Sequence, residues 1–307
     1  MLEKSRSLPA VDCVAYDLED SVTPTMKEAA RRNVRGILER KRVGGIWDQA
    51  VRINSVGSGL AEEDLREVLQ SSSNIDTLVV PKVNSASDLQ FVTDVLRHIL
   101  PQRHPSTPPS LTSATSAPPI QILALIESAL ALTSLPAICT ASPYLSGLIF
   151  AAEDFAADLS ITRTPSLTEF LYARSAIVTH ARAYSLPSVI DLVCTGYSGL
   201  AGMQTLEREC ANGASMGFNG KQCIHPSQVD VAQKLFAASE GEVVWAIRVM
   251  VTDEKAGRAG KGAWALDGKM VDRPVVWKAR SIVERAKREG VVDIEAIIER
   301  WKGQEPE

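Results

Sequence analysis

Short apolar runs alternate with amphipathic stretches along most of the chain. The runs are nearly continuous in apolar residues, as is typical of strands buried on both faces of a parallel sheet. The stretches between them repeat apolar residues at helical spacing, so the order predicts an α/β fold. The predicted strands are residues 11–19, 50–54, 77–82, 120–127, 146–154, 188–194 and 216–224. The predicted helices between them are residues 25–41, 61–71, 85–100, 129–140, 167–184 and 200–212.

The remaining segments have other patterns. Residues 102–119 are rich in Pro, Ser and Thr without periodicity, which predicts a surface insertion. A β-ribbon with Asp267-Gly268 at its tip is predicted within residues 257–274. The C-terminal helices are predicted at residues 229–238, 243–254, 275–288 and 294–301. We therefore expect a barrel domain, residues 1–226, and a C-terminal helical extension or lid, residues 227–307, that contributes to a neighbouring subunit's site.

The number of strands bears on the kind of sheet. Seven strands are predicted, whereas a TIM-type (β/α)₈ barrel has eight. The chain begins in a segment that has the pattern of a helix end. We therefore expect a (β/α)₈ barrel that lacks or modifies its first strand. An open doubly wound sheet is the alternative, but no G-x-G-x-x-G sequence follows any predicted strand.

Composition narrows the classes of function. The 307 residues carry a net charge of −4, which argues against bulk nucleic-acid binding. No apolar stretch approaches the length of a membrane span. The five cysteines are dispersed without a C-x-x-C pair, which indicates reduced thiols in an intracellular protein. No targeting segment is visible, so we expect a cytoplasmic or mitochondrial-matrix protein.

Two acidic residues close two of the apolar runs. Glu127 ends the run 120–127 and Asp154 ends the run 146–154. Catalytic groups collect at the C-terminal ends of barrel strands, and two converging carboxylates suit a hard cation such as Mg²⁺ or Mn²⁺. Two alternatives stay open: Glu127 could cap the following helix, and Glu153 could replace Asp154 as a ligand.

Six motifs occur in a fixed order, each at the end of a predicted strand. They are YDLEDSV (16–22), AVRIN (50–54), LVVPK (78–82), ALIES (124–128), FAAEDF (150–155) and GFNGKQCIHP (217–226). This ordered set resembles the citrate lyase β-subunit-like family of the HpcH/HpaI aldolase superfamily, which includes malyl-CoA and citramalyl-CoA lyases. The resemblance extends from about residue 2 to residue 280.

The resemblance implies a (β/α)₈ barrel assembled as a homotrimer, or as a hexamer of trimers. It also implies a Mg²⁺-dependent carbon–carbon lyase (Mn²⁺ being the alternative metal) with an acyl-CoA or 2-keto acid as its partner molecule. The expected reaction is cleavage of a citramalyl-CoA or malyl-CoA type thioester to acetyl-CoA and a 2-keto acid. No nucleic-acid or membrane partner is expected.

The resemblance also assigns residues. The implied site residues are the metal ligands Glu127 and Asp154, the catalytic residues Arg52, Asp272 and Glu19, and the substrate-binding residues Arg52, Lys82, Ala152 and Glu153. Arg52 would hold the oxygen that is polarised, since a guanidinium keeps its charge. Asp272 would come from a neighbouring subunit's extension and exchange a proton with the thioester α-carbon.

Two features depart from the family pattern. The family carries a strand and a Pro-Gly-Ser-type turn before the segment that begins here, and Ala151-Ala152 stands where a Gly-rich turn is common. A CoA-independent aldolase of the class II type, acting on 4-hydroxy-2-keto acids, and a non-catalytic descendant therefore remain alternative functions. Lys82 also admits a Schiff-base role, and Lys221 a place in a phosphate-contacting loop.

Overall fold

The computed structural model describes residues 2–5, 11–42, 44–70, 74–105, 118–290 and 292–307. The chain divides into two compact units, Met1–Ala232 and Gln233–Glu307. Within the described part, no helix is both long and apolar enough to cross a membrane. All five cysteines are free.

A seven-stranded parallel sheet forms the centre of the first unit. Its strands are β1 (Val11–Asp17), β2 (Ile46–Arg52), β3 (Thr77–Val80), β4 (Gln121–Ile126), β5 (Leu145–Phe150), β6 (Ser188–Asp191) and β7 (Gly220–Lys221). Each strand pairs with the next one along the chain. Crossovers between parallel strands are right-handed, so this order directs the helices to one face and curls the sheet. Among the described residues β1 and β7 each have one paired neighbour, so the described strands do not close the expected eight-stranded barrel.

Helices follow the strands in alternation. They are α1 (Leu2–Ser5), α2 (Lys27–Leu38), α3 (Ala61–Leu69), α4 (Ala86–Ile99), α5 (Ala129–Thr133), α6 (Leu135–Cys139), α7 (Ala152–Leu159), α8 (Leu171–Ala183), α9 (Gly199–Met216) and α10 (Val229–Phe236). One face of the sheet is fully buried at Val51 on β2, Leu78 on β3 and Leu148 on β5. The opposite face carries a smaller apolar cluster that includes Leu125 and Ile149. Most of the polar residues that the sequence singles out lie at or just after the C-terminal ends of these strands.

The alternation of predicted elements is confirmed, but several boundaries are wrong, and three of these differences change an element. The strand predicted at 146–154 ends at Phe150, and the unpredicted helix α7 begins at Ala152. The strand predicted at 216–224 shrinks to two residues, because α9 continues to Met216 and ends at Gly217 with φ +101°. The helix predicted at 129–140 breaks at Ser134, and α6 begins at the next residue with proline in its second position. Residues 106–117 of the predicted insertion lie outside the described residues.

After the end of α10, the described residues of the second unit form three helices and a hairpin. They are α11 (Glu240–Arg258), β8 (Trp264–Leu266), β9 (Lys269–Val271), α12 (Arg273–Glu289) and α13 (Ile294–Trp301). Asp267 and Gly268 both have positive φ at the tip of the antiparallel hairpin, so the predicted ribbon is confirmed. The unit has its own buried cluster, in which Trp264 donates a hydrogen bond to Thr252 at 3.1 Å.

Candidate active site

Arg52 and Asp17 form a two-pronged ion pair at the C-terminal ends of β1 and β2. The strand register sets the two residues opposite each other. The Arg52 Nε and Nη2 atoms each donate to an Asp17 oxygen at 2.7 Å. Burial opposes ionisation, but hydrogen bonds from Arg52 and Ser21 hold the pKa of Asp17 well below its ordinary value. The pair therefore fixes the guanidinium plane while the side chain of Arg52 stays 24% exposed.

Further acids approach the third nitrogen of this guanidinium. The Arg52 Nη1 atom lies 3.3 Å from Glu19 Oε2 and 3.6 Å from Asp20 Oδ2. Two of the five N–H donors of Arg52 are used in hydrogen bonds to Asp17, so others are left for a substrate oxygen. Glu19, which the sequence analysis gave as a catalytic residue, is therefore one of three acids around this guanidinium, and Asp17 is the nearest of them.

A network of hydrogen bonds next to the ion pair connects the loops that follow β1 and β2. The Lys27 ammonium donates to the carbonyls of Leu18 and Glu19, both at 2.7 Å, and to Asn54 at 2.6 Å. Asn54 in turn donates through its backbone and side chain to Asp64, each at 2.7 Å. Because these bonds hold the backbone of the loop, they fix the place of Glu19 next to Arg52.

Lys82 lies beside Glu19 rather than free in the site. Its Nζ atom donates to Glu19 Oε1 at 2.8 Å. Burial works against the charged form, but the hydrogen bond to Glu19 outweighs it and raises the pKa of Lys82. Lys82 therefore remains an ammonium at neutral pH, which argues against the Schiff-base alternative, since a Schiff base needs the free amine. Its charge is suited to holding an anionic substrate group.

Glu127 follows β4 directly and is nearly enclosed, with 6% exposure. Burial, the negative charge of Asp154 and that of Glu19 raise the pKa of Glu127 to about 7. The backbone N–H of Lys82 donates to this carboxylate, and Lys82 adopts a positive φ of 51° in the turn that presents it. Strained backbone of this kind is concentrated at functional sites. The capping alternative for Glu127 is not supported, because Ser128 caps α5 with its own hydroxyl.

Asp154 occupies the first turn of α7, not the end of a strand. The predicted boundary is wrong because Ala151 provides no side-chain cap that would reveal the helix start in the sequence. The side chain of Asp154 is exposed, and the described residues offer it no ion pair or hydrogen bond. Glu153 instead lies 2.5 Å from Arg163. Of these two adjacent acids, Asp154 is therefore the one available for a cation.

The start of α7 also supplies backbone donors. The first N–H groups of a helix have no partner within it and favour an anion. Ala152, at 1% exposure, and Glu153 are the first two residues of this eight-residue helix. Their backbone groups, rather than the Glu153 side chain, are the parts suited to a substrate carboxylate. The predicted substrate-binding role of both residues stays a prediction.

Arg163 and its partners form a network that sequence reasoning missed. Arg163 Nη2 donates to Glu209 at 2.8 Å and to the Val193 carbonyl at 3.0 Å. Lys221, whose side chain is fully buried, lies 3.1 Å from the other oxygen of Glu209. The buried Lys221 is therefore structural, against the alternative of a phosphate-contacting loop. No local signal marks this network, since 46 residues separate Arg163 from Glu209.

Asp272 belongs to the second unit, at the start of α12. Its carboxylate accepts a hydrogen bond from the Val275 backbone at 3.3 Å and so caps the helix. Proline follows within the first two positions of the helix, which is the usual order at a helix start. The predicted delivery of Asp272 to a neighbouring subunit stays a prediction.

The carboxylates of Glu127, after β4, and Asp154, in the first turn of α7, fit a divalent cation. Glu127 is a buried carboxylate whose ionisation is opposed by the charge of a second one, Asp154, and a bound cation would relieve that repulsion. No cluster of three or more His, Cys, Asp or Glu side chains suited to a metal occurs among the described residues. Mg²⁺ accepts such a sparse site, because it commonly takes one or two protein carboxylates and completes its octahedron with water and substrate oxygens.

Comparisons with known proteins find relatives that match most of this chain. The family model described as HpcH/HpaI aldolase/citrate lyase matches residues 1–226. The mitochondrial citramalyl-CoA lyase of Homo sapiens is 34% identical over 294 residues, which cover 92% of this chain and 82% of that protein. The citrate lyase subunit beta of Escherichia coli is 35% identical over 292 residues, covering 95% and 90%. The CitE protein of Mycobacterium tuberculosis, solved with magnesium, acetoacetate and coenzyme A, superposes with a TM-score of 0.66 at 28% identity over 90% of each chain.

Proposed function

This chain belongs to the HpcH/HpaI aldolase/citrate lyase family, and from that premise we propose that it is a Mg²⁺-dependent carbon–carbon lyase acting on a 3-hydroxyacyl-CoA dicarboxylate of the citramalyl-CoA or malyl-CoA type. The products are acetyl-CoA and a 2-keto acid. The observation that carries the proposal is the charge coupling of Glu127 with Asp154 and with Glu19, which itself lies 3.3 Å from the guanidinium of Arg52. The CoA-bound and magnesium-bound relative supports the choice of thioester and metal.

The proposed cleavage is a retro-aldol reaction. The 3-hydroxyl group loses its proton, the bond between C2 and C3 breaks, and its electron pair goes to C2 as a thioester enolate. Protonation of C2 then releases acetyl-CoA. Mg²⁺ held by Glu127 and Asp154 would acidify the hydroxyl group and clamp the keto-acid fragment.

The chain's own residues have distinct roles in this proposal. Arg52 donates hydrogen bonds to the oxygen that gains negative charge, and Asp17 and Glu19 hold its guanidinium in place. The ammonium of Lys82 binds a substrate carboxylate. Asp272 of a neighbouring subunit exchanges the proton at C2, which requires a homo-oligomer such as a trimer. A closed barrel in the assembled protein belongs to the same proposal.

The retained charges favour an enzyme over a non-catalytic descendant. Glu127 is buried against two other acids, and such an arrangement destabilises the fold when no cation is bound. A scaffold protein gains nothing from this repulsion. In an enzyme the same carboxylates would bind the metal, so the loss of stability of the metal-free fold would be offset by metal affinity.

The proposed function is tested with purified protein, Mg²⁺ and either citramalyl-CoA or malyl-CoA. We expect pyruvate or glyoxylate release, detected by reduction with a coupled dehydrogenase, and its loss in excess EDTA. Free 4-hydroxy-2-keto acids serve as the control substrates. Cleavage of those alone, with no thermal stabilisation by millimolar CoA, would instead establish the CoA-independent aldolase. Release from neither substrate class by folded protein would refute the lyase proposal.

Magnesium affinity is expected to depend on pH. In the metal-free protein the pKa of Glu127 is raised to about 7, so below that pH the cation must displace a proton. The apparent Kd for Mg²⁺ should rise about tenfold for each pH unit below 7 and level off above it. Isothermal titration calorimetry in buffers of different ionisation enthalpy should give about one proton released per cation at about pH 6 and almost none at about pH 8. A flat affinity over that range would contradict this assignment of the Glu127 pKa.

A further inference from the structure

The helix that carries Asp154 has no side-chain cap of its own. Ala151 precedes α7 without a capping hydrogen bond, and α7 ends after eight residues at Ser160 in a left-handed conformation. A helix this short has little intrinsic stability, so its orientation depends on contacts from outside. The chain that leaves α7 provides one of them within three residues, at Arg163.

Arg163 connects α7 to the neighbouring strand β6 and to the helix α9 that follows it. One nitrogen, Nη1, meets the Glu153 carboxylate at 2.5 Å. Another, Nη2, donates to Glu209 on α9 at 2.8 Å and to the Val193 carbonyl after β6 at 3.0 Å. Its side chain is only 16% exposed and that of Glu209 is 7% exposed, so the bond between them is shielded from water, whereas Glu153 is half exposed.

The far end of the network is more deeply buried still. Lys221 Nζ lies 3.1 Å from Glu209 and donates to the Leu192 carbonyl at 2.8 Å. The side chain of Lys221 is fully buried and that of Glu209 is 7% exposed. The two cations and two carboxylates, Glu153 and Glu209, balance in charge. The network therefore needs no contribution from Asp154.

Helix geometry turns this anchor into a constraint on Asp154. Successive residues of an α-helix project about 100° apart, so neighbours do not share a face. When Arg163 holds Glu153 towards β6 and α9, the direction of Asp154 follows. The buried residues Ala152, Phe155 and Ala156 keep α7 in place, but loss of the anchor would free the Glu153 carboxylate and loosen the first turn that carries Asp154.

Resting on the proposed function, we propose that Arg163 is a positioning residue that holds Glu153 aside and directs Asp154 to the divalent cation. Arg163 contacts neither metal nor substrate in this role. It acts through Glu153, Glu209 and the Val193 carbonyl. A lysine at this position reaches only one of these partners, because it lacks the planar fork of donors.

The test measures Mn²⁺ binding, as a substitute for Mg²⁺, from the loss of the free-ion electron paramagnetic resonance signal. Replacing Arg163→Gln should weaken affinity about tenfold to a hundredfold, as for other groups that orient metal ligands. Arg163→Lys should restore part of that loss. Arg66→Gln, which removes an exposed pair with Glu62 on α3, is the matched control and should leave affinity unchanged. Thermal melting in EDTA separates an orientation effect from a loss of folding.

Glu153→Gln provides a second route if Arg163→Gln fails to fold, since Glu153 is half exposed. It should weaken Mn²⁺ binding about threefold to tenfold, and the double variant should be no weaker than Arg163→Gln alone, because both remove one interaction. Unchanged affinity in either folded single variant would overturn the positioning role and leave the lyase proposal intact. Absence of Mn²⁺ binding by the unaltered protein would overturn both.

Discussion

Replacing Glu127→Gln is expected to lower lyase activity about a thousandfold while the fold remains at least as stable in EDTA. The activity falls because one of two protein carboxylates is lost from the cation, whose charge stabilisation is worth several kcal/mol. Stability does not fall, because the neutral amide removes a buried charge whose pKa is raised to about 7. The sign follows from linkage: a carboxyl with a raised pKa in the folded state opposes folding wherever it is ionised.

Kinetics at saturating Mg²⁺ and thermal melting in EDTA measure the two effects separately. Glu67→Gln is the control and should leave activity unchanged. It makes the same chemical change on α3, where Glu67 forms a partly exposed ion pair with Arg35 of α2. If Glu127 were only a structural residue, its replacement would lower the melting temperature and activity together. Full activity in the Glu127→Gln variant would show that Glu127 is not a metal ligand of the active site.

Replacing Arg52→Lys is expected to lower kcat/KM about a hundredfold to a thousandfold, with Mg²⁺ affinity changed by less than about threefold. The lysine keeps the positive charge but cannot make both 2.7 Å bonds to Asp17. The charge is then present without a fixed direction towards the developing oxyanion. The effect should lie mainly in kcat, because the lost interaction strengthens in the transition state.

Steady-state kinetics and calorimetric Mg²⁺ titration of the same preparation test this prediction. Arg35→Lys is the matched control, since Arg35 also binds two acids, Glu39 and Glu67, but on the outer helices. An Arg52→Lys enzyme with normal kcat would show that the charge alone suffices. Loss of Mg²⁺ binding in this variant would assign Arg52 to the metal site rather than to the oxyanion.

The strand ends could be predicted from the sequence because their signals are local. Glu127 and Lys82 each end a short apolar run, and the parallel order brings such ends to one edge of the sheet. Which nearby acid pairs most closely with Arg52 could not be predicted, since the choice of Asp17 depends on a strand register that no single segment encodes. Side chains along a strand alternate, so a shift of one residue would have directed Asp17 to the helices.

Other features escaped prediction for different physical reasons. The residues before Asp154 are apolar enough for a strand and also favourable in a helix, and without a capping side chain the boundary at Ala152 has no marker. The contacts of Arg163 join three elements that are distant in sequence. Such long-range ion pairs depend on tertiary packing and leave no periodic trace. The sequence therefore pointed to the two candidate metal ligands, whereas only the structure revealed the residues that support them.

The central claim is that Glu127 and Asp154 bind one divalent cation, and anomalous diffraction from crystals soaked with Mn²⁺ and pyruvate tests it most directly. We predict a single strong peak about 2.1–2.3 Å from a carboxylate oxygen of each residue, with pyruvate oxygens and water in the remaining positions. A peak held by other residues, or an ordered site in which the two carboxylates point apart with no peak between them, would contradict the account.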